Sequence, residues 1–366
     1  MSAAGSARPQ RVPADRDGVA KRAGARGRYG RARALTAVLA AMTATAALAA
    51  CGGSSSGSAS NDGKATTKIS FGDLGSSPTM TPFYAAVYEG FFKKAGLDVS
   101  VEKFTGGGSS SVAALATGAV DVASGGPTNF IGDIAKKAVS GKMFAQVAGA
   151  DYDILAAKGV TSISQLKGQK IGVSGGNSAD EIYLIAALAH YGIKSGDVTF
   201  VTAGTPAERL SAISNGTIKA TAEADTQRSV EHSVGSIVLP SQSSPVQVPG
   251  QALWASSSFL KNNSATLKKM VRVLVSATTW VSQPANKKAA VADCQKGTGA
   301  PASSCAETLA VDSDRAQAGK WTWSSTWAVD PVGITQAIAA TSQAVSEAKG
   351  LAFADVVDTS ITGTQP

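Results

Sequence analysis

Residues 68–102 read KISFGDLGSSPTMTPFYAAVYEGFFKKAGLDVSVE. Lys68–Gly72 alternates polar and apolar side chains, the period of a half-buried strand. The polar stretch Asp73–Thr79 reads as a turn. Pro82–Phe92 then sets Phe83, Ala86, Val87 and Phe91 on one stripe, which is helical spacing. Gly96 closes that helix, and Leu97–Glu102 alternates again. Outward from this stretch, a Gly-rich turn at 105–108 leads into a helix over 110–117. Gly118 stands where a helix ends in left-handed backbone, and Ala119–Ala123 follows as a short strand. Strand, helix, strand, helix, strand is the order of a mostly parallel sheet with covering helices.

The same order returns downstream. Lys170–Val173 is a strand, 174–178 a turn, and Ala179–Tyr191 a helix ended by Gly192. A strand at 197–201, a helix at 206–215 ended by Gly216, and a strand at 218–222 complete it. ALATGAVDVAS (114–124) and AISNGTIKATA (212–222) align helix end, glycine and strand in register. Two such units predict a duplicated architecture rather than one large sheet. The tail is helical over 264–281 and 334–349 and must pack back on one of the two halves.

The formal charge of +8 is not spread evenly. Residues 1–50 hold nine basic and two acidic residues, which leaves 25 basic and 24 acidic residues for the rest. A nucleic-acid partner is therefore not expected, because phosphate binding requires a basic surface. Residues 34–50, ALTAVLAAMTATAALAA, are uncharged but too short and small for a membrane span. With the basic segment before them they read as a signal peptide. Leu48-Ala49-Ala50-Cys51 reads as a lipobox, with Cys51 lipidated, and residues 51–66 as a flexible Gly/Ser linker. That leaves Cys294 and Cys305, which in an exported protein form either a disulfide, the expected state, or two buried thiols. Enzymatic signals are thin. His190 and His232 lack ligand spacing, and GxSxG, HExxH and P-loop patterns are absent. Neither cofactor nor metal is expected.

Several segments resemble one family. Glu89-Gly90-Phe91-Phe92-Lys93-Lys94-Ala95-Gly96-Leu97-Asp98-Val99 is similar to a signature of periplasmic binding proteins for nitrate, sulfonates, taurine and thiamine-precursor pyrimidines. Leu115–Ala123, Ile163–Ser174 and Phe259–Asn262 resemble three further elements of that family, in the right order. One departure is Ile218-Lys219-Ala220, where the family carries an acidic strand. The resemblance implies an α/β, two-lobed periplasmic-binding-protein fold of type II kind. Each lobe is then a mixed, mostly parallel sheet flanked by helices, with the ligand cleft at the hinge. Residues 67–155 and 245–366 would form lobe 1, and residues 156–244 lobe 2. The implied function is a monomeric solute-binding lipoprotein of an ABC importer, outside the cytoplasmic membrane, serving a permease and an ATPase subunit. A sulfonate, taurine or nitrate type of ligand is expected, with a thiamine-precursor pyrimidine, or an exported enzyme or sensor, as alternatives.

In such sheets ligands bind beyond the carboxyl ends of the strands. Four turns take that place, at 75–81, 106–110, 125–129 and 175–178. Their candidate ligand contacts are Ser76, Ser77, Thr79, Gly107, Ser109, Ser110, Gly126, Thr128, Asn129, Gly176, Asn177 and Ser178. Helix N-termini there offer free N–H groups to an anion, although Ser and Thr at these places also serve as caps. Glu223 and Asp225, near Arg228, either take an amino group or ring N–H or join a hinge-side ion pair. Trp254 either stacks on the ligand or packs in the core.

The lipobox yields the first prediction. Replacing Cys51 with Ala is expected to release the protein from the membrane fraction of expressing cells. Retention there at full length would refute the assignment.

Overall fold

The computed structural model describes residues 66–363, except 74–76, 105–107, 226–227, 318–322 and 324. The leader, Cys51 and most of the linker lie outside the described residues.

The alternating stretches become strands that pair as the order of elements implies. Strand β1 (Thr67–Asp73) runs parallel to β2 (Leu97–Lys103) over its whole length and to β3 (Val122–Gly125). Between them lie helices α1 (Thr81–Tyr88), α2 (Phe91–Lys94) and α3 (Gly108–Thr117). The helix expected over Pro82–Phe92 is thus broken in two, because Gly90 takes left-handed backbone at φ 74°. After β3 come helix α4 (Pro127–Ala135) and strand β4 (Gly141–Ala148).

The chain then leaves this sheet. Strand β5 (Tyr152–Ala157) opens a second one. Strand β6 (Lys170–Val173), helix α5 (Ala179–His190), strand β7 (Thr199–Thr202), helix α6 (Pro206–Ser214) and strand β8 (Ala220–Ala224) repeat the first pattern. Helix α7 (Arg228–Val234) and strand β9 (Gly235–Leu239) end it. Strand β10 (Gln251–Ser256) returns to the first sheet. The tail adds helices α8 (Ser257–Val281), α9 (Lys287–Thr298), α10 (Ala302–Gln317), α11 (Pro331–Ala344) and α12 (Phe353–Val356).

The sheet orders are β2-β1-β3-β10-β4 and β7-β6-β8-β5-β9. In each, three parallel strands precede one antiparallel strand, β10 or β5, that arrives from the other sheet. The duplicated architecture is therefore real at the level of topology. Gly118 and Gly216, aligned in the repeat, both end their helices at positive φ, 73° and 77°.

Phe71, Phe83, Phe144, Leu253, Met270 and Leu274 fill one face of the first sheet beneath α1 and α8. The other buried cluster joins Phe130 and Trp254 of the first half to Tyr183 and Leu184 of the second through Ile334 and Ala337 of α11. Helix α11 packs against both α4 and α5. The tail thus rests on both halves, not on one as expected, because Ile334 and Ala337 of α11 share a buried cluster with side chains of both. Trp323, Trp327, Val357 and Asp358 also cover the free edge of β4: Gln146 N–H donates to Trp327 O, and Asp358 N–H to Met143 O. Covering an edge strand in this way blocks its pairing with other chains. Among the described residues no helix is long and apolar enough to cross a membrane.

Cys294 in α9 and Cys305 in α10 form a disulfide, with Cα atoms 5.9 Å apart. The turn between the two helices is residues 299–301, with Gly299 in left-handed backbone. Both sulfurs lie inside the protein. For a loop of this length, reduction or paired Cys→Ser replacement should cost about 3 kcal/mol. The check is a thermal melt with and without reductant. A fall of several degrees is expected, and an unchanged midpoint would show that the bridge carries no stability.

Candidate functional site

At the carboxyl end of β1, Asp73 is buried. Its carboxylate accepts from Tyr84 Oη at 2.5 Å and from Ser124 Oγ at 2.6 Å. Burial first, then the Asp73 charge, pushes the Tyr84 hydroxyl well above its ordinary value. The residues that follow Asp73 include Ser76, which lies outside the described residues. Ser77 and Thr79 share a 2.6 Å hydroxyl contact, and Trp323 Nε1–H donates to Thr79 O at 2.7 Å. The tail thereby reaches the strand ends of the first sheet, a role that spacing near residue 323 did not reveal. Gly107 lies outside the described residues, as does the side chain of Ser109 at the start of α3. Ser110 is partly buried in the same first turn. Its neighbour Ser111, not among the expected contacts, is fully buried and its Oγ has no partner.

Helix α4 begins at Gly126 with Pro127 in its first turn and no acidic residue there. Thr128 is 2% exposed, and its Oγ1 has no hydrogen-bond partner. Asn129 beside it is partly buried. Gly126 faces the second half: a Cβ placed on it would lie 3.7 Å from Ala179 Cβ and 3.5 Å from Gly250 O. The N-termini of α4 and α5 therefore meet here, together with the strand that returns between the sheets.

On the second half, Ser178 occupies the N-cap position of α5, yet its side chain caps nothing. Its Oγ is buried without a partner. Capping accounts for neither Ser178 nor Thr128. Gly176 and Asn177 are exposed, and Asn177 has left-handed backbone at φ 61°. The turn is held by acids of the helix it precedes. Ser174 N–H donates to Asp180 at 2.7 Å, Ser174 Oγ also bonds Asp180, and Asn177 N–H bonds Glu181. Carboxylates in the first turn of a helix offset its positive end. The lobe-2 turn therefore offers an anion less than its glycines suggest.

The carboxylates expected at the end of β8 are already engaged. Glu223 is fully buried and takes a two-bond contact from Arg209, Nε and Nη2 each at 2.7 Å. Burial pushes its carboxyl up to about 7, against the opposing pull of Arg209. Its carboxylate is thus engaged in an ion pair within the second half. Fourteen residues separate the pair, and no local pattern marks it. Asp225 accepts from Ser241 Oγ at 2.7 Å, and its N–H donates to Asp151 O. Arg228 donates to both oxygens of Asp153, at 2.5 and 2.8 Å, and to Ser241 and Gln242. Arg228 is thus tied to β5, and Asp225 to the segment after β9.

Trp254 is fully buried, stacks on Phe130 with ring centroids 4.4 Å apart, and donates to Gly125 O at 3.3 Å. Its ring is taken up by packing, so ligand stacking gives way to the core alternative. Among the described residues, no group of three or more His, Cys, Asp or Glu side chains is placed to hold a metal ion.

Glu231 of α7 is buried beside this network, and neither carboxyl oxygen has a partner. Its carboxyl is pushed up to about 9, by burial first and by Asp153, Glu223 and Asp225 around it, with Arg228 opposing. From the ordinary value near 4.5 up to about 9, the folded state holds a proton that the unfolded chain has lost. Stability therefore falls as pH rises through that window. Thermal midpoints should drop across it, and Glu231→Gln should flatten the slope and raise the alkaline midpoint. An equal slope in the variant would exclude Glu231 as the cause.

No curated protein matches the chain. The periplasmic aliphatic sulphonate binding protein SsuA from Escherichia coli has a similar structure, with TM-score 0.58 and 19% identity, over 77% of this chain and 86% of that one. The alkanesulfonate-binding protein SsuA from Xanthomonas axonopodis pv. citri, bound to MOPS, gives 0.56 and 16%, over 76% and 90%. The periplasmic nitrate-binding protein NrtA from Synechocystis PCC 6803 gives 0.54 and 16%, over 67% and 70%. At such identities the likeness is one of fold: two mixed sheets flanked by helices, in the periplasmic binding protein arrangement. The family model described as NMT1/THI5 like matches residues 77–286, more than half of the 366-residue chain, and the protein belongs to that family.

Proposed function

We propose that this protein is the solute-binding component of an ABC importer, a lipoprotein tethered through Cys51 outside the membrane. It takes up a small solute between its two sheets and delivers it to a permease. The observation that carries this reading is the set of buried hydroxyls with no partner, Thr128 Oγ1 and Ser178 Oγ, on helix N-termini that meet across the two halves. A buried polar group left unpaired costs roughly 1–3 kcal/mol. A fold that keeps several at one junction is holding places for a ligand's polar atoms. The structural neighbours named for sulfonate and nitrate binding support the class of protein, and a solute with at least one strong acceptor group fits these donors.

The unpaired state gives the test a distinctive sign. In the unliganded protein Thr128→Val removes a hydroxyl that bonds nothing, so the melting temperature should hold or rise. Once a solute is found by thermal-shift screening of sulfonates, nitrate, amino acids and pyrimidines, Thr128→Val and Ser178→Ala should each weaken its binding about tenfold, or ~1.4 kcal/mol. Unchanged affinity in both variants would remove these hydroxyls from the site. A fall in unliganded stability instead would make Thr128 a structural residue.

A further inference from the structure

Charge is not spread evenly after the leader either. Residues 257–300 hold seven basic residues and a single acid, Asp293, which is buried. The rest of residues 51–366 holds 18 basic and 23 acidic residues. The positive charge therefore belongs to helix α8 and to α9. Helix α8 turns Leu267, Met270, Val271 and Leu274 into the core. Its outer side carries Lys268 and Arg272, four residues apart and both exposed, with Lys269 partly buried beside them. Lys261, exposed before the kink at Asn263, and Lys287 and Lys288, exposed at the start of α9, extend the same charge. No acid occurs in α8 itself. Like charges four apart on a helix repel each other and weaken it. Among the described residues the ion pairs all lie in the second half, and none engages these cations.

The chain enters the fold next to this helix. Thr67 N–H donates to Gly96 O, just past α2 with its exposed Lys93 and Lys94. Helix α2 packs on α8, with the rings of Phe91 and Trp280 6.2 Å apart. Glu89 and Asp98 flank α2 and offset its two lysines, so the excess charge is that of α8 and α9. With Cys51 lipidated, residues 51–66 reach at most about 55 Å even fully extended, so the point of entry stays close to the bilayer. A bilayer of anionic phospholipid strengthens binding about fivefold for each Lys or Arg near its surface. That attraction fades within a Debye length, about 8 Å in physiological salt, so only the side turned to the surface counts. Such a surface attracts α8 and repels the acidic remainder, which selects one orientation.

We propose that the outer side of α8, with the start of α9, docks on the anionic phospholipid surface to which the chain is tethered, so that the body lies against the bilayer rather than swinging free of it. The location rests on the tethered reading above, whereas the docking itself does not need the lipid. An acidic protein surface would meet the same cations, but only the bilayer is held beside them by the chain itself.

The test uses residues 51–366 with Cys51→Ser, so that neither leader nor lipid contributes. Vesicles of phosphatidylglycerol and phosphatidylcholine in equal parts should carry the protein down on sedimentation at low salt, and vesicles of phosphatidylcholine alone should not. Binding should vanish as added salt shortens the Debye length to about 3 Å at 1 M. Lys261→Gln, Lys268→Gln and Arg272→Gln together should weaken binding on the order of a hundredfold, at about fivefold for each charge. Lys158→Gln, Lys194→Gln and Lys219→Gln, all exposed in the second half, remove the same charge and should leave binding within about twofold. Every substituted side chain is exposed, so both triple variants should keep the melting midpoint of the parent. Arg272→Gln alone, with a loss of about fivefold, serves if the first triple variant unfolds. No sedimentation with the anionic vesicles would overturn the inference and leave an acidic protein partner to account for the cations. An equal loss in the two triple variants would overturn it as well. The tether is tested by release of the Cys51→Ala protein and the solute site by the Thr128 and Ser178 variants, so each reading fails on its own measurement.

Discussion

Each sheet is completed by a strand that arrives from the other. Strand β5 pairs with β8 and β9 only after the chain has left the first sheet, and β10 pairs with β3 and β4 only after it has left the second. Both segments that cross between sheets are consequently clamped at each end by ladder hydrogen bonds. This constraint places Asp151 and Gly250 against each other and brings the start of β10 to the carboxyl ends of β1 and β3. The helix N-termini follow, because α4 and α5 spring from β3 and β6 at that same edge. Without the exchange of strands the two sheets would share no crossing segments.

The electrostatics of the second half serve this arrangement. Arg209 neutralises Glu223, and Arg228 ties Asp153 at the start of β5 to Ser241 and Gln242 beyond β9. Arg228 therefore ties β5 to the segment that follows β9. Breaking a buried pair of this kind by removing one partner typically costs about 3–5 kcal/mol, since it leaves a charge alone in the interior. Such pairs hold the second half in shape, and their charges are spent within it. Among the described residues, Thr128 Oγ1 and Ser178 Oγ are buried hydroxyls outside these pairs with no partner.

The tail contributes a second kind of restraint. Helix α11 lies on α4 and α5 together, and Gln336 bonds Pro245 O and Gln247 N–H in the returning segment. Trp323 and Trp327 hold the chain against the edge strand β4 and the Thr79 turn. Any change in the angle between the halves must therefore rearrange contacts of α11 as well as the two crossing segments.

Local chemistry alone determined much of this protein. Period-two alternation marked β1, β2 and β6, helical stripes marked α1 and α5, and glycines such as Gly118 and Gly216 marked where helices stop. All of these signals act within a few residues, so they survive in one dimension. Strands β4 and β10 escaped notice because GKMFAQVA and QALWAS are covered on both faces, and a strand buried on both sides loses its alternation. The candidate turns were also visible, since glycine and small hydroxyl residues cluster before helices. Which hydroxyls lack partners and which acids are already paired were decided only by the tertiary structure. Pairing of buried charges and the meeting of crossing segments depend on residues far apart in the chain, and no local pattern carries that information.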